Sequence, residues 1–521
     1  MDRSRILRRH RIYSILCKLC REHMSRCGAH ERMRYSETRL REHAGAEECG
    51  MDVLQEVENV LVVGLGVSGR SAADLLLRLG KRVMVNDICD GGPVEGAAAE
   101  LSRKGAEVAL GHHDPSLLDR ADLVVVSPGV RSRIPLLREA ESRRIPIWSE
   151  VELAWRYARG PVIAVTGTNG KTTTVRMIEW IFKQASRPAR AAGNIGQPFT
   201  QVVEEAEEGQ VLVVEVSSFQ LTYIDGFRPT VSVLLNIAED HFDWHENLEE
   251  YVEAKSRLWL NQGEGDMLVC NMDDPICLEL SHKAPVRVAY FSRRADRAAY
   301  TYLSEGWLVS RVASGMSERG ETRRIMRADE LPLPGWHNMD NAMAAASAAL
   351  YFGISPEEVG SALRRFPGLP HRIQFVAEVG GVRFYNDSKA TNPHAALRAL
   401  SAFDAPLVLI LGGRNKGLSF EELAAALGEK GQSGGIRAIY LIGEAAEELE
   451  EALDRHAPHL VARVLPGLEE VFGELASVVQ EGDVVLFSPA CASFDRYGNY
   501  KERGIHFQEM VENYRRERSG L

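Results

Sequence analysis

A strand, a glycine turn and a helix follow one another around residue 170. The apolar run Pro161-Val-Ile-Ala-Val165 leads into Thr166-Gly-Thr-Asn-Gly-Lys-Thr-Thr173, and residues 175–182 continue as an amphipathic helix. That order restricts the fold to an α/β sheet with a phosphate cradle at the carboxyl end of a strand. Gly167 and Gly170 let backbone N–H groups close on phosphate oxygens. Lys171 adds a positive charge, and Thr172 offers a hydroxyl to Mg²⁺. The usual phosphate-loop spacing puts glycine five residues before Gly170, where this chain has Val165. The loop is a variant of the pattern.

A chain of 521 residues has room for about three domains. It is 45% hydrophobic and 26% charged, as a globular protein with full cores requires. No apolar run approaches the roughly 18 residues of a membrane span. The net charge is −11. Residues 1–50 hold 12 Lys+Arg against 7 Asp+Glu, so the excess acid lies in the remainder. An acidic body argues against nucleic acid as a partner.

Residues 1–50 differ from the rest. They are rich in Arg, His and Cys and contain no secretory apolar core. Cys17 and Cys20, with His23, Cys27 and His30, are compatible with zinc, but a second ligand pair at a standard spacing is missing. We expect a disordered basic extension, or a start placed too early with Met51 as the true beginning. Cys49 also falls in this segment; the other cysteines (89, 270, 277 and 491) are scattered and form no disulfide framework, so a reducing cytoplasm is expected.

The body opens with a strand at 59–63, the turn Gly64-Leu-Gly-Val-Ser-Gly69, a helix at 70–79 and a second strand at 82–87 ending in Asp87. G-x-G-x-x-G with an acid about 20 residues on fits NAD, FAD or a nucleotide diphosphate, because each places a pyrophosphate at a helix N-terminus. Two more strands follow, at 107–110 and 122–126. The second ends in Ser127-Pro-Gly129, at the sheet edge where open α/β sheets bind ligands.

After the phosphate loop come Gly193-Asn-Ile-Gly196 and the strand 211–216, which carries Glu215 at its end. A carboxylate placed there is a candidate magnesium ligand. The strand 231–236 runs into Asp240 and His241, again at a strand end.

Taken with Glu215-Val-Ser-Ser-Phe-Gln-Leu221 and Asn236-Ile-Ala-Glu-Asp-His241, these segments resemble the Mur ligases, the ATP-dependent amino-acid ligases of peptidoglycan synthesis. Gly368-Leu-Pro-His-Arg372, Asn386-Asp-Ser-Lys-Ala-Thr-Asn392 and Ser488-Pro-Ala-Cys-Ala-Ser-Phe-Asp495 resemble the branch that adds D-glutamate to UDP-N-acetylmuramoyl-L-alanine. The resemblance covers residues 51 to about 510. It implies three α/β domains: a UDP-binding Rossmann-like domain (51–150), a central phosphate-loop ATPase (151–368) and a Rossmann-like domain that receives the amino acid (369–521).

It also implies roles. Gly64, Leu65, Gly66, Val67, Ser68, Ser127, Pro128 and Gly129 would hold the uridine diphosphate, with Asp87 near the uracil or ribose. This demotes the nicotinamide reading. Asn194, Ser217 and Gln220 would face the muramoyl substrate. Gly167, Thr168, Asn169, Gly170, Lys171, Thr172 and Thr173 would hold ATP, together with Asn338, Asn341, Arg372, Asp387 and Lys389. Two Mg²⁺ are implied, one on Thr172 and Glu215 and one on His241. Lys255 stands where the family carries a carbamylated lysine, an anion able to orient the metal. Lys171, His241 and Lys255 are the catalytic candidates. Thr391, Lys416, Ser493 and Tyr500 would meet D-glutamate. A cytoplasmic monomer acting on small molecules is expected. Two positions depart from the family. Ala238 replaces Ser or Thr, which removes a polar contact, and Tyr500 replaces phenylalanine.

Overall fold

The computed structural model describes residues 54, 56–194, 196–238, 244, 245, 247–312 and 321–519. Two compact units divide the chain: one runs through Arg327 and adds Asp340–Leu363, and the other joins Ala328–Met339 to Arg364–Leu521. Three sheets form the frame.

The first sheet lies in the first unit. Its five strands are parallel and run in the order Glu107–Leu110, Arg82–Asp87, Asn59–Val63, Leu123–Val126, Ile147–Ser149. The central strand reads Asn-Val-Leu-Val-Val and is apolar on both faces because helices cover both sides. The helix after the glycine turn starts at Val67, three residues before the expected start. Its first-turn N–H groups need no intrahelical partner, so Ser68 and Gly69 fit within it.

The same unit holds a nine-stranded sheet. Its parallel centre is built from Val162–Thr166, flanked by Val211–Glu215 and Val231–Leu234. Beyond Arg287–Ser292 and Ala299–Ser304, two antiparallel strands, Trp307–Val312 and Glu321–Arg327, extend the edge. One apolar cluster runs from Val60 and Val62 through Trp148 and Phe199 to Val214 and Leu234, joining the two sheets. Each such buried aliphatic side chain contributes about 1.5–3 kcal/mol.

Glu152 locks this junction. It is fully buried, and its carboxylate accepts the N–H groups of Asp225, Gly226 and Phe227 at 3.0, 3.0 and 2.8 Å. Arg156 donates to it at 2.7 Å.

The second unit contains a six-stranded sheet ordered Gln374–Val379, Val382–Asn386, Val484–Phe487, Leu407–Gly412, Ile436–Ile442, Ala462–Val464. Only the first pair is antiparallel. The loops 387–391, 413–416 and 488–493 leave the carboxyl ends of three neighbouring strands. Among the described residues, no helix is long and apolar enough to cross a membrane.

Candidate functional site

The first-sheet turn is closed by contacts that only glycine allows. Gly64 has φ +90°, and its N–H donates to Asn86 at 2.8 Å. A Cβ at Gly69 would drive into the carbonyl oxygen of Gly64. A Cβ at Gly64 would stand 2.9 Å from that of Ser127, so the 64–69 and 127–129 turns lie side by side. Asp87 folds onto them, its carboxylate accepting the Leu65 N–H at 2.6 Å. Val67 is 74% exposed on this edge. Pro128 is half-buried and Gly129 exposed.

The phosphate loop is held from below. Gly170 has φ +85° and caps the helix Lys171–Gln184, and a side chain there would collide with the Asn341 amide. Asn341 also accepts from the Thr174 hydroxyl at 3.2 Å. Asn236 clamps the loop: the Asn169 N–H donates to its Oδ1 at 2.8 Å, and its Nδ2 donates to the Asn169 carbonyl at 3.1 Å. The Thr168 hydroxyl lies 3.0 Å from Tyr251 Oη and accepts the Ala238 N–H at 2.9 Å. Thr168 therefore supplies a hydroxyl at the corner where residue 238 has none. Lys171 Nζ bends over the loop to the carbonyls of Gly167 and Thr168, at 2.8 and 3.0 Å. Thr172 and Thr173 are buried.

Glu215 stands one strand away, in register with Val165. It is 2% exposed, and among the described residues its Oε2 has no hydrogen-bond partner. An orphaned buried carboxylate oxygen fits a bound cation. Lys255, also buried, donates to the Gly167 carbonyl at 3.1 Å and lies over the Tyr251 ring at 4.5 Å. Among the described residues, no three His, Cys, Asp or Glu side chains cluster to hold a metal. His241 lies outside the described residues.

Asn194 is exposed, and its N–H donates to Glu215 O at 3.2 Å. Ser217 and Gln220 form a capping box, with Gln220 Oε1 accepting from Ser217 N at 2.7 Å. The Gln220 amide donates to Glu150 at 2.6 Å. Glu150 is buried, and burial pushes its pKa up to about 7. Gln220 is thus committed to internal bonds that link this corner to the first sheet.

In the second unit, Asp387 is buried and accepts from the Ser488 hydroxyl at 2.8 Å and the Ile373 N–H at 3.1 Å. Burial pushes its pKa up to about 7. The Lys389 N–H donates to the His371 carbonyl at 2.9 Å, and its ammonium lies 5.8 Å from the Tyr500 ring. Ser493 is buried, Thr391 and Arg372 are half-buried, and Lys416 is exposed. The Asn338 amide donates to Pro334 O at 2.7 Å. Burial pushes the Cys491 thiol up to about 12, which leaves it a poor nucleophile.

Three family models match in chain order. The Mur ligase MurD-like N-terminal domain matches residues 58–149, the Mur ligase middle domain 165–349, and the Mur ligase glutamate ligase domain 371–491. The UDP-N-acetylmuramoylalanine--D-glutamate ligase of Pelotomaculum thermopropionicum is 41% identical, with 87% of this chain and 97% of that protein covered. The chain belongs to the Mur ligase family. The protein of the same name from Thermoanaerobacter pseudethanolicus is 38% identical, with 88% and 99% covered. The fold agrees with the crystal structure of the UDP-N-acetylmuramate-alanine ligase of Thermotoga maritima at TM-score 0.52 and 20% identity, with 88% and 99% covered.

Each of the three sheets of this Mur ligase thus belongs to one domain of the family fold. Within the first unit, the structure brings Gly167–Thr173, Asn341, Glu215 and Lys255 together around one loop. It gathers Asp387, Lys389, Ser493 and Tyr500 at one edge of the third sheet. Sequence reading missed the residues beneath these groups: Asn236, Tyr251, Glu150, Glu152 and Arg503. A strand-end amide following a phosphate loop was the one available signal, and it pointed to Asn236.

Proposed function

We propose that this Mur ligase joins D-glutamate to UDP-N-acetylmuramoyl-L-alanine, with ATP cleaved to ADP and phosphate, in peptidoglycan synthesis. The observation that carries the reading is near-full-length similarity to proteins named UDP-N-acetylmuramoylalanine--D-glutamate ligase, covering 97% and 99% of their lengths.

In this reading the muramoyl-alanine carboxylate attacks the γ-phosphorus of ATP, and ADP leaves. The loop N–H groups and Lys171 hold the β- and γ-phosphates and offset the charge that develops there. Thr172, Glu215 and His241, with a carbamate on Lys255, would hold two Mg²⁺, which would neutralise charge on the transferring phosphoryl group. The buried oxygen of Glu215, without a hydrogen-bond partner among the described residues, supports that assignment. The amine of D-glutamate then attacks the acyl carbon, and phosphate leaves carrying one oxygen of the former carboxylate.

The remaining roles follow the same reading. Gly64–Gly69, Asp87 and Ser127–Gly129 hold the uridine diphosphate, and Asn194, Ser217 and Gln220 shape the muramoyl corner. Asn338, Asn341, Arg372, Asp387 and Lys389 serve ATP. Thr391, Lys416, Ser493 and Tyr500 take D-glutamate. We place the domains at 51–150, 151–368 and 369–521, and the protein as a monomer in the cytoplasm. Coupled ADP release with UDP-N-acetylmuramoyl-L-alanine, across a panel of D- and L-amino acids, tests the proposal. Turnover selective for D-glutamate is expected; equal turnover with L-glutamate or none with either refutes it.

A further inference from the structure

We infer that Arg503 is a positioning residue for the acceptor amino acid, its guanidinium setting the loops that carry Thr391, Lys416 and Ser493. The inference rests on the reading that those residues meet D-glutamate.

Arg503 lies in the helix Tyr500–Ser519 and is 2% exposed. Its Nε donates to the Ser388 hydroxyl at 3.0 Å, and one terminal nitrogen donates to the carbonyls of Ser388 and Cys491 at 2.9 and 3.0 Å. The other donates to the Ala492 carbonyl at 3.1 Å. Ala492 in turn pairs with Arg414 through two backbone bonds, at 2.9 and 3.0 Å. The guanidinium also walls Gly413, where a Cβ would stand 2.9 Å from it. One side chain therefore ties residues 388 and 491–492 directly, and residue 414 at one remove. Thr391 lies three residues beyond the first tie, Ser493 adjoins the second, and Lys416 is two residues past the third.

Two features separate this from an ordinary structural arginine. All of its hydrogen-bond acceptors are neutral, a hydroxyl and three carbonyls, and the Asp495 carboxylate acts on the guanidinium through space without a hydrogen bond to it, so its bonds are spent on loop backbone rather than on an ion pair. Burial lowers the guanidinium pKa to about 10, so it remains a cation at neutral pH. That charge sits beneath the loops assigned to a dicarboxylic amino acid, where it complements the ligand's charge as well as setting the spacing.

The test compares Arg503→Lys, which keeps the charge and loses the planar fork, with Arg503→Met, which keeps the apolar stem and loses both. Melting temperature, kcat and KM for D-glutamate, ATP and the UDP substrate are measured on the full chain. We expect KM for D-glutamate to rise about tenfold in the lysine variant and about a hundredfold in the methionine variant, as lost charge-assisted hydrogen bonds predict. KM for the UDP substrate should stay within about twofold, since no tie touches its assigned residues, and KM for ATP should rise less than that for D-glutamate, since Ser388 lies between Asp387 and Lys389. Should the methionine variant fail to fold, the lysine variant decides alone. An unchanged D-glutamate KM in a folded variant overturns the inference, as do three constants rising in parallel. If the unmodified chain shows no dependence on D-glutamate, the activity itself falls and this inference with it.

Discussion

Replacing Glu215 separates its catalytic value from its cost to the fold. Its Oε2 is buried at the end of the strand beside the phosphate loop, without a hydrogen-bond partner among the described residues. An orphaned buried acceptor costs about 1–3 kcal/mol, and a charged one more. Glu215→Met keeps the length and removes the polar group. In EDTA the variant should be more stable by about 1–3 kcal/mol, or roughly 2–12 °C in Tm at about 2–4 °C per kcal/mol. Mg²⁺ with ADP should reverse the order. At a hundredfold excess over Kd, ligand binding stabilises the unmodified protein by about 2.7 kcal/mol, and the variant should gain less. Its ADP release should fall about 100-fold or more, which corresponds to at least about 2.7 kcal/mol of lost transition-state stabilisation. Thermal melts with and without Mg²⁺ and ADP, run beside a coupled ADP assay, report both effects. A variant less stable than the unmodified chain in EDTA refutes the reasoning, as does one that keeps Mg²⁺-dependent turnover.

Other outcomes follow from the same geometry. Lys171→Ala should abolish ADP release while leaving the melting curve nearly unchanged; turnover close to normal would count against the loop assignment. Glu152→Ala strands three backbone N–H groups and leaves Arg156 with Asp225 as its carboxylate partner, a loss of about 4 kcal/mol and roughly 8–16 °C in Tm; a shift under about 2 °C would contradict its place at the junction of the two sheets. Asp387 is raised by burial from 3.8 to about 7, so its stabilising protonated form is complete below pH 3.8 and is lost as the pH rises through 7. Asp387→Asn should therefore melt higher than the unmodified protein at pH 8, with the difference shrinking toward pH 4; an equal difference at both pH values would show that the carboxyl does not titrate in this range.

The legible parts of this chain were local. Glycine spacing, a strand before it and a helix after it locate both glycine turns, because their backbone geometry occupies fewer than ten consecutive residues. Strand-end residues such as Glu215 and Asp387 were readable for the same reason. The supports were not. Arg503 meets Ser388 across 115 positions, and in the helix that carries it a single arginine reads as one more solvated charge. Glu152 binds backbone 73 to 75 residues away, which leaves no side-chain pattern to detect. The Gln220 capping box spans four consecutive residues, but its link to Glu150 needed the fold. The edge strand Glu321–Arg327, with Arg323, Arg324 and Arg327, carries too much charge to read as a strand without its antiparallel neighbour.

Oxygen transfer tests the central claim most directly. UDP-N-acetylmuramoyl-L-alanine labelled with ¹⁸O in its carboxylate is incubated with ATP, Mg²⁺ and D-glutamate, and the released phosphate is analysed by mass spectrometry. Activation through an acyl phosphate predicts one ¹⁸O in each phosphate formed. Unlabelled phosphate accompanying amide product would contradict it.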